Sequence, residues 1–318
     1  MGDSKRRLMA GRRSVLLGMA GFASAALTSC APNVPGGSPP GSQARPPAPQ
    51  TGPATPPPSI AALSSEQAAA ALAPSAPAST PRDAVPGKQQ IVAEFSGRRP
   101  KEWGLHVTGV VNSSASRHVA LTFDACGGPG GTACDHALLK ALRRLNVPAT
   151  LFINSRWIAA NPALSAELAA DPLFELANHG TLHLPLSVTG KSAYGIAGTA
   201  SVPAAYDELM GNQAVMQELT GKAPRFFRPG TAYYDDVAAE MTHRLGMVPV
   251  NFTVNGDGGA TFPAATVATE VGRAAPGDIV ISHFNRPAAG TAEGYVRALP
   301  LLLDRGVSFG RLSDVLPA

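Results

Sequence analysis

Two histidines stand four residues apart in Asn178-His179-Gly180-Thr181-Leu182-His183. Imidazoles at that spacing, on a helical turn or a tight loop, can reach one zinc-like ion. Asp124 directly follows the apolar run 119–123 and precedes a glycine-rich loop, 127–131. A carboxylate there can act as general base on a water beside a cation. His283 closes the apolar run 278–282 and suits a general acid for a leaving amine. Arg228, before Pro229-Gly230-Thr231, can orient the base, while backbone N–H groups of Gly230 or Thr231 can hold an oxyanion. Taken singly, each has an ordinary structural use as a loop-capping aspartate, a core histidine or a buried ion pair. As a set they spell metal-assisted hydrolysis.

Such residues must be brought together by a frame. The run 119–123 reads as a buried strand, and 135–145 as a helix with Asp135 as N-cap. A strand over 149–154 follows Pro148, and another over 174–177 ends at Asn178-His179. A helix over 204–219 stops at Gly221, and a strand over 225–227 ends at Arg228. Further strands are expected over 248–254 and 278–282, with a final helix near 292–304. Repeated strand-then-helix order implies an α/β fold with a parallel sheet, closed in barrel fashion at this length. Asp124, His179, Arg228, Asp257 and His283 then all stand at C-terminal strand ends, the rim where such barrels build their chemistry.

The chain has 318 residues and 44% hydrophobic content, ample for a core. Its net charge of +4 does not indicate a nucleic-acid partner. Residues 1–90 hold eight Lys or Arg against Asp3, Glu66 and Asp83, so 91–318 keeps 18 basic and 19 acidic residues. A near-neutral domain has no basic footprint for phosphates. The excess sits where an export signal would be. Lys5-Arg6-Arg7 and Arg12-Arg13 precede a short apolar stretch, 14–28, too brief for a comfortable permanent span. Arg12-Arg13-Ser14-Val15-Leu16 resembles the twin-arginine export motif, and Leu27-Thr28-Ser29-Cys30 resembles a bacterial lipobox. Three segments are thus expected: a lipoprotein signal over 1–30, a linker over 31–90 and a catalytic domain over 91–318. Fifteen of the 30 prolines fall in 31–90 with almost no large apolar side chain, too little to offset ordering entropy. Lipidated Cys30 would tether an exported domain to the membrane. The two remaining cysteines, Cys126 and Cys134, form an even pair for which an oxidising compartment favours a disulfide.

The motifs, in order, resemble the polysaccharide deacetylases of the NodB-homology, carbohydrate esterase family 4 type. Thr122-Phe123-Asp124-Ala125-Cys126 is similar to the family's Thr-Phe-Asp-Asp-Gly; His179 to His183 to its histidine pair; Arg228-Pro229-Gly230-Thr231 to its Arg-Pro-Pro-Tyr; and Ile281-Ser282-His283 to its late Leu-x-His. The resemblance implies a distorted (β/α) barrel that hydrolyses N-acetyl groups from glucosamine-type polymers with a divalent metal, zinc by its ligands. It assigns Asp124 as base, His179 and His183 as metal ligands, His283 as acid and Arg228 as the residue steering Asp124. Gly230, Thr231 and Asp257 fall to substrate and oxyanion binding. The chain departs from the pattern where the family's second aspartate, a metal ligand, is Ala125. A methyl group cannot bind a cation, so the third ligand falls to Asp124, Cys126, Asp135 or His136. The expected tryptophan near 255–258 is missing, and Thr231 stands for a groove tyrosine. Two other readings follow from these departures: a non-catalytic envelope protein that binds glycan or metal, and a deacylase of a small acyl amide.

Overall fold

The structure is a computed structural model and describes residues 85–317. The signal segment, Cys30 and most of the 31–90 linker lie outside the described residues. Helix replaces linker earlier than expected, at α1 (Lys88–Phe95), whose buried Ile91 and Phe95 lie one helical turn apart.

Among the described residues, ten strands run in chain order as β1 (Trp103–Gly104), β2 (Val119–Ala125), β3 (Ala149–Ile153), β4 (Phe174–Asn178), β5 (Phe226–Phe227), β6 (Tyr234–Asp235), β7 (Val248–Pro249), β8 (Val254–Asn255), β9 (Ile279–His283) and β10 (Phe309–Gly310). Between them run α2 (His136–Arg144), α3 (Ser155–Ala160), α4 (Pro162–Ala170), α5 (Val202–Thr220), α6 (Asp236–Arg244), α7 (Ala264–Gly272), α8 (Thr291–Asp304) and α9 (Leu312–Val315). Eight strands form one all-parallel sheet in the order β7-β5-β4-β3-β2-β9-β8, with β10 beside β2. The sheet curls into a half-barrel, the distorted (β/α) barrel expected from the sequence. β1 and β6 make a separate antiparallel pair.

Period-two alternation sorts each strand's side chains to two faces. On β2, Val119, Leu121, Phe123 and Ala125 join the outer core with residues of α2, α7 and α8. Ala120 instead joins Phe152, Ala177, Phe226 and Ile279 in a second cluster inside the curl. Thr122 and Asp124 share the parity of Ala120, so they sit on the inner face above it. His283 lies opposite Asp124 in the β2–β9 register.

One expected element is different. The single strand foreseen over 248–254 is split into β7 and β8, at opposite ends of the sheet order. Asn251 explains the break. It is fully buried, and its Nδ2 donates to the carbonyls of Leu105 and Ala232, partners outside any sheet ladder.

Candidate active site

The inner face of the curl ends in a cavity of about 510 Å³ lined by Asp124, Cys126, His183, Thr231, His283 and Asn285, among others. Arg228 organises its floor. The guanidinium is fully buried; Nη1 donates to Asp124 Oδ1 at 2.8 Å and to Thr122 Oγ1 at 2.9 Å. Its Nη2 and Nε donate to the carbonyls of Asn251 and Val250. Burial alone would push Asp124 up, but the Arg228 charge, helped by His179 and His283, holds its carboxyl below the usual range. Asp124 is therefore an ionised group with one oxygen fixed and the other, Oδ2, 3.7 Å from His179 Nε2.

His179 is oriented from behind. Its Nδ1 lies 2.8 Å from the Arg228 carbonyl, which can only accept, so Nδ1 carries the proton and Nε2 presents a lone pair. His183 follows in a loop with φ of 63°, its ring 4.9 Å from that of His179. The unusual backbone is pinned by Glu208 of α5, whose buried carboxylate accepts from the N–H groups of Leu182 and Leu184, on either side of His183. Gly230 permits the other approach: a Cβ there would fall 2.2 Å from the His183 carbonyl oxygen.

Cys126 completes the cluster. Its Sγ, His179 and His183 offer ligand atoms all within 4.8 Å of one another, and Sγ lies 3.9 Å from His179 Nε2. Ligands around a tetrahedral zinc stand about 3.5 Å apart, so this donor set fits such an ion with a small inward movement. Being deep in the pocket works against ionising the thiol. Bonds to His179, His183 and His283 outweigh this and hold its pKa well below the ordinary value. Of the four candidates for the missing ligand, Asp135 and His136 stand apart. Asp135 caps α2 through the Leu138 N–H, and His136 is exposed.

The expected disulfide is not formed; both cysteines are free. Cys126 turns its sulfur to the histidines, whereas Cys134 packs against the outer core, where burial beside Asp135 and Glu167 pushes its thiol up to about 12.

His283 is held by Asp257. Oδ1 accepts from His283 Nδ1 at 2.9 Å, and Oδ2 from the His283 backbone N–H at 2.7 Å and Thr291 Oγ1 at 3.0 Å. Burial would lower the imidazole's pKa, but the Asp257 charge and hydrogen bond raise it well above the ordinary value. This corrects the substrate-binding role expected for Asp257. The carboxylate is fully buried, both oxygens are engaged, and it stands behind His283 rather than on the pocket wall. Gly230 is likewise buried under His183, while Thr231 lines the pocket with φ of 70°. The buried oxygens Thr231 Oγ1 and Asn285 Oδ1 have no hydrogen-bond partner, and both residues line the cavity. Sequence reasoning missed Asn285 and Glu208, which no periodicity or motif marks.

Residues 112–250 match the family model described as polysaccharide deacetylase. The match covers Asp124, Cys126, His179, His183 and Arg228; Asp257 and His283 come from the chain beyond it. Solved structures with the same fold include wild-type BA3943 from Bacillus anthracis, a family 4 carbohydrate esterase pseudoenzyme, at 21% identity and a TM-score of 0.55 over 67% of this chain and 69% of that one. A mutant of that protein has restored enzymatic activity. The Bc1960 peptidoglycan N-acetylglucosamine deacetylase aligns at 20% identity and 0.55 over 65% of this chain and 92% of its own. The family 4 carbohydrate esterase PdaA from Bacillus subtilis aligns at 20% and 0.54 over 72% and 88%. At such identities the likeness establishes the fold. No curated protein sequence matches the chain. Residues 112–250 thus form a polysaccharide deacetylase domain of the NodB type, on the fold that the family 4 carbohydrate esterases share.

Proposed function

We propose that this chain is a divalent-metal-dependent hydrolase that removes N-acetyl groups from an N-acetylglucosamine-type polysaccharide, working outside the cytoplasmic membrane on a lipid tether at Cys30. One observation carries the reading. An ionised carboxylate locked by Arg228 and a raised-pKa imidazole locked by Asp257 face one cavity, with a His-His-Cys donor set gathered beside them. A binding module has no use for two such groups poised in opposite protonation states.

His179, His183 and Cys126 would hold the ion. Cys126 takes the place that Ala125 vacates, and its thiolate, with two imidazoles, favours zinc over harder cations. The ion, when bound, supplies Lewis acidity at the acetyl carbonyl. Asp124, ionised and aimed by Arg228, accepts a proton at Oδ2 from the attacking water. His283, protonated through Asp257, delivers a proton from Nε2 to the departing amine. Thr231 and Asn285 line the cavity in which the acetylated sugar would sit.

The loss of the carboxylate at Ala125 favours a second reading, a glycan- or metal-binding protein without turnover, and one of the structural neighbours is a pseudoenzyme. Metal analysis combined with acetate release from an N-acetylglucosamine polymer separates the two. The expected result is one divalent ion per chain, a thiolate-to-metal absorption band in the cobalt-loaded protein that Cys126→Ser abolishes, and acetate release. Bound metal without acetate would leave only the binding reading. No bound ion would end the metal-dependent one.

A further inference from the structure

His179 and His183 stand four residues apart, yet the segment that joins them, between β4 and α5, is neither helix nor strand. No periodic backbone sets their spacing, so contacts must. One residue of α5 supplies them. Glu208 is 3% exposed, and its carboxylate accepts hydrogen bonds from three successive peptide N–H groups: Leu182 to Oε2 at 2.9 Å, Leu184 to Oε1 at 3.1 Å, and His183 between them. The carbonyl of Glu208 accepts from the N–H and the hydroxyl of Thr181, at 3.1 and 3.0 Å. Gly180 makes room for the carboxylate, since a Cβ there would collide with Oε1. Every residue from 180 to 184 thus meets Glu208.

Successive N–H groups converging on one point form a concavity suited to an anion, and here the anion belongs to the chain itself. A buried carboxylate is unfavourable unless such bonds satisfy it, and bonds to a charged acceptor are about twice as strong as neutral ones. They offset the left-handed backbone of His183, with φ of 63°. The two imidazoles are therefore held in different ways. His179 is oriented through its ring, by the Arg228 carbonyl behind Nδ1. Among the described residues no carbonyl or carboxylate oxygen plays that part behind the ring of His183, so its direction comes through its peptide groups.

We infer that Glu208 is the positioning residue for His183: by holding the 182–184 peptide groups from α5, it fixes the direction of the ring and so tunes the affinity for the ion. This rests on the proposed metal-dependent reading and deepens it, because the donor set is then shaped before an ion arrives.

Zinc affinity of the full chain, measured by chelator competition well below the melting temperature, tests this apart from turnover. Removing a partner that orients a metal ligand weakens binding about 10- to 100-fold, and Glu208→Gln should show a loss of that size. Its amide has a single accepting oxygen and turns an NH2 against an N–H donor. Asp235→Asn is the control. Asp235 is a fully buried carboxylate that accepts from the N–H groups of Val188 and Ala238, outside the donor set. Its loss should lower the melting temperature and leave zinc affinity within about threefold. Gly180→Ala reaches the contact from the other side by pushing the carboxylate away. It should weaken zinc binding about tenfold in the wild-type background but less than about threefold in Glu208→Ala, where nothing is left to push. That variant carries the test if Glu208→Gln does not fold. Zinc affinity of Glu208→Gln within about threefold of wild type, an equal loss in Asp235→Asn, or full additivity of Gly180→Ala with Glu208→Ala overturns the positioning role and leaves the metal-dependent reading intact. A wild-type chain that binds no zinc ends that reading, and the inference with it.

Discussion

Asp257→Asn is the most discriminating single change, because it preserves shape and removes only the arrangement that makes His283 an acid. In the native site Oδ2 accepts two hydrogen bonds, from the His283 backbone N–H and Thr291, while Oδ1 accepts one, from His283 Nδ1. An asparagine has one accepting end. Keeping its oxygen on the two donors turns its NH2 toward Nδ1, which must then accept. His283 is driven to the neutral tautomer, and the imidazolium loses the charge that raised its pKa. General acid catalysis supplies about 10²- to 10⁴-fold, ~3–5 kcal/mol of barrier. Because the neutral ring still offers an Nε2 proton, a fall in kcat of about 100-fold is expected. The sign in pH follows. His283 must be protonated, so the wild-type rate persists below its raised pKa and is lost as pH climbs through it; in Asp257→Asn that limb moves to lower pH. The same raised pKa stabilises the fold, fully below about 6.5 and less as pH rises through the folded value. Acetate release across pH, with metal content measured on the same samples, reads the outcome. A kcat within threefold of wild type, an unmoved alkaline limb, or parallel loss of the ion would refute this reasoning.

Arg228→Met leaves Asp124 buried without its cation, and breaking such a pair costs about 3–5 kcal/mol. For a domain of this size the melting temperature should fall by on the order of 10 °C, and a drop under 2 °C by calorimetry would deny that Arg228 holds the site. Cys30→Ser should move the protein from the membrane fraction to the soluble exported fraction; fractionation with unchanged membrane retention counts against the lipid tether.

The rim was legible in the sequence because strand parity and strand ends are local. Asp124, His179, Arg228 and His283 each stand at or just past the C-terminal end of a strand, and the curl brings them together at the cavity. What was illegible depends on where side chains turn after the strand ends. Asp257 sits two residues beyond β8 and reads as a groove carboxylate, yet its oxygens turn inward onto His283. Asn251 reads as one more strand residue, and only its buried bonds to Leu105 and Ala232 show why the strand breaks there. The short spacing of Cys126 and Cys134 invites a disulfide because spacing says nothing about direction. One sulfur faces the site and the other the core.

That last point bears on the residue lost at 125. On β2 the outer positions are 119, 121, 123 and 125, all part of the core against the helices, and Ala125 is fully buried there. The inner parity runs 120, 122, 124 and, one step past the strand, 126. In this backbone a carboxylate at 125 would start from the apolar side, facing residues such as Trp157 and Leu138, where an unpaired charge is costly. A thiolate at 126 starts from the side of His179 and His183. The departure that most weakens the family likeness therefore comes with a donor one residue later, on the face where a cation can use it. Sulfur would also change the character of the site. A thiolate is softer than a carboxylate, so with two imidazoles it would suit zinc and would leave Asp124 free for the proposed role of base rather than drafted as a ligand.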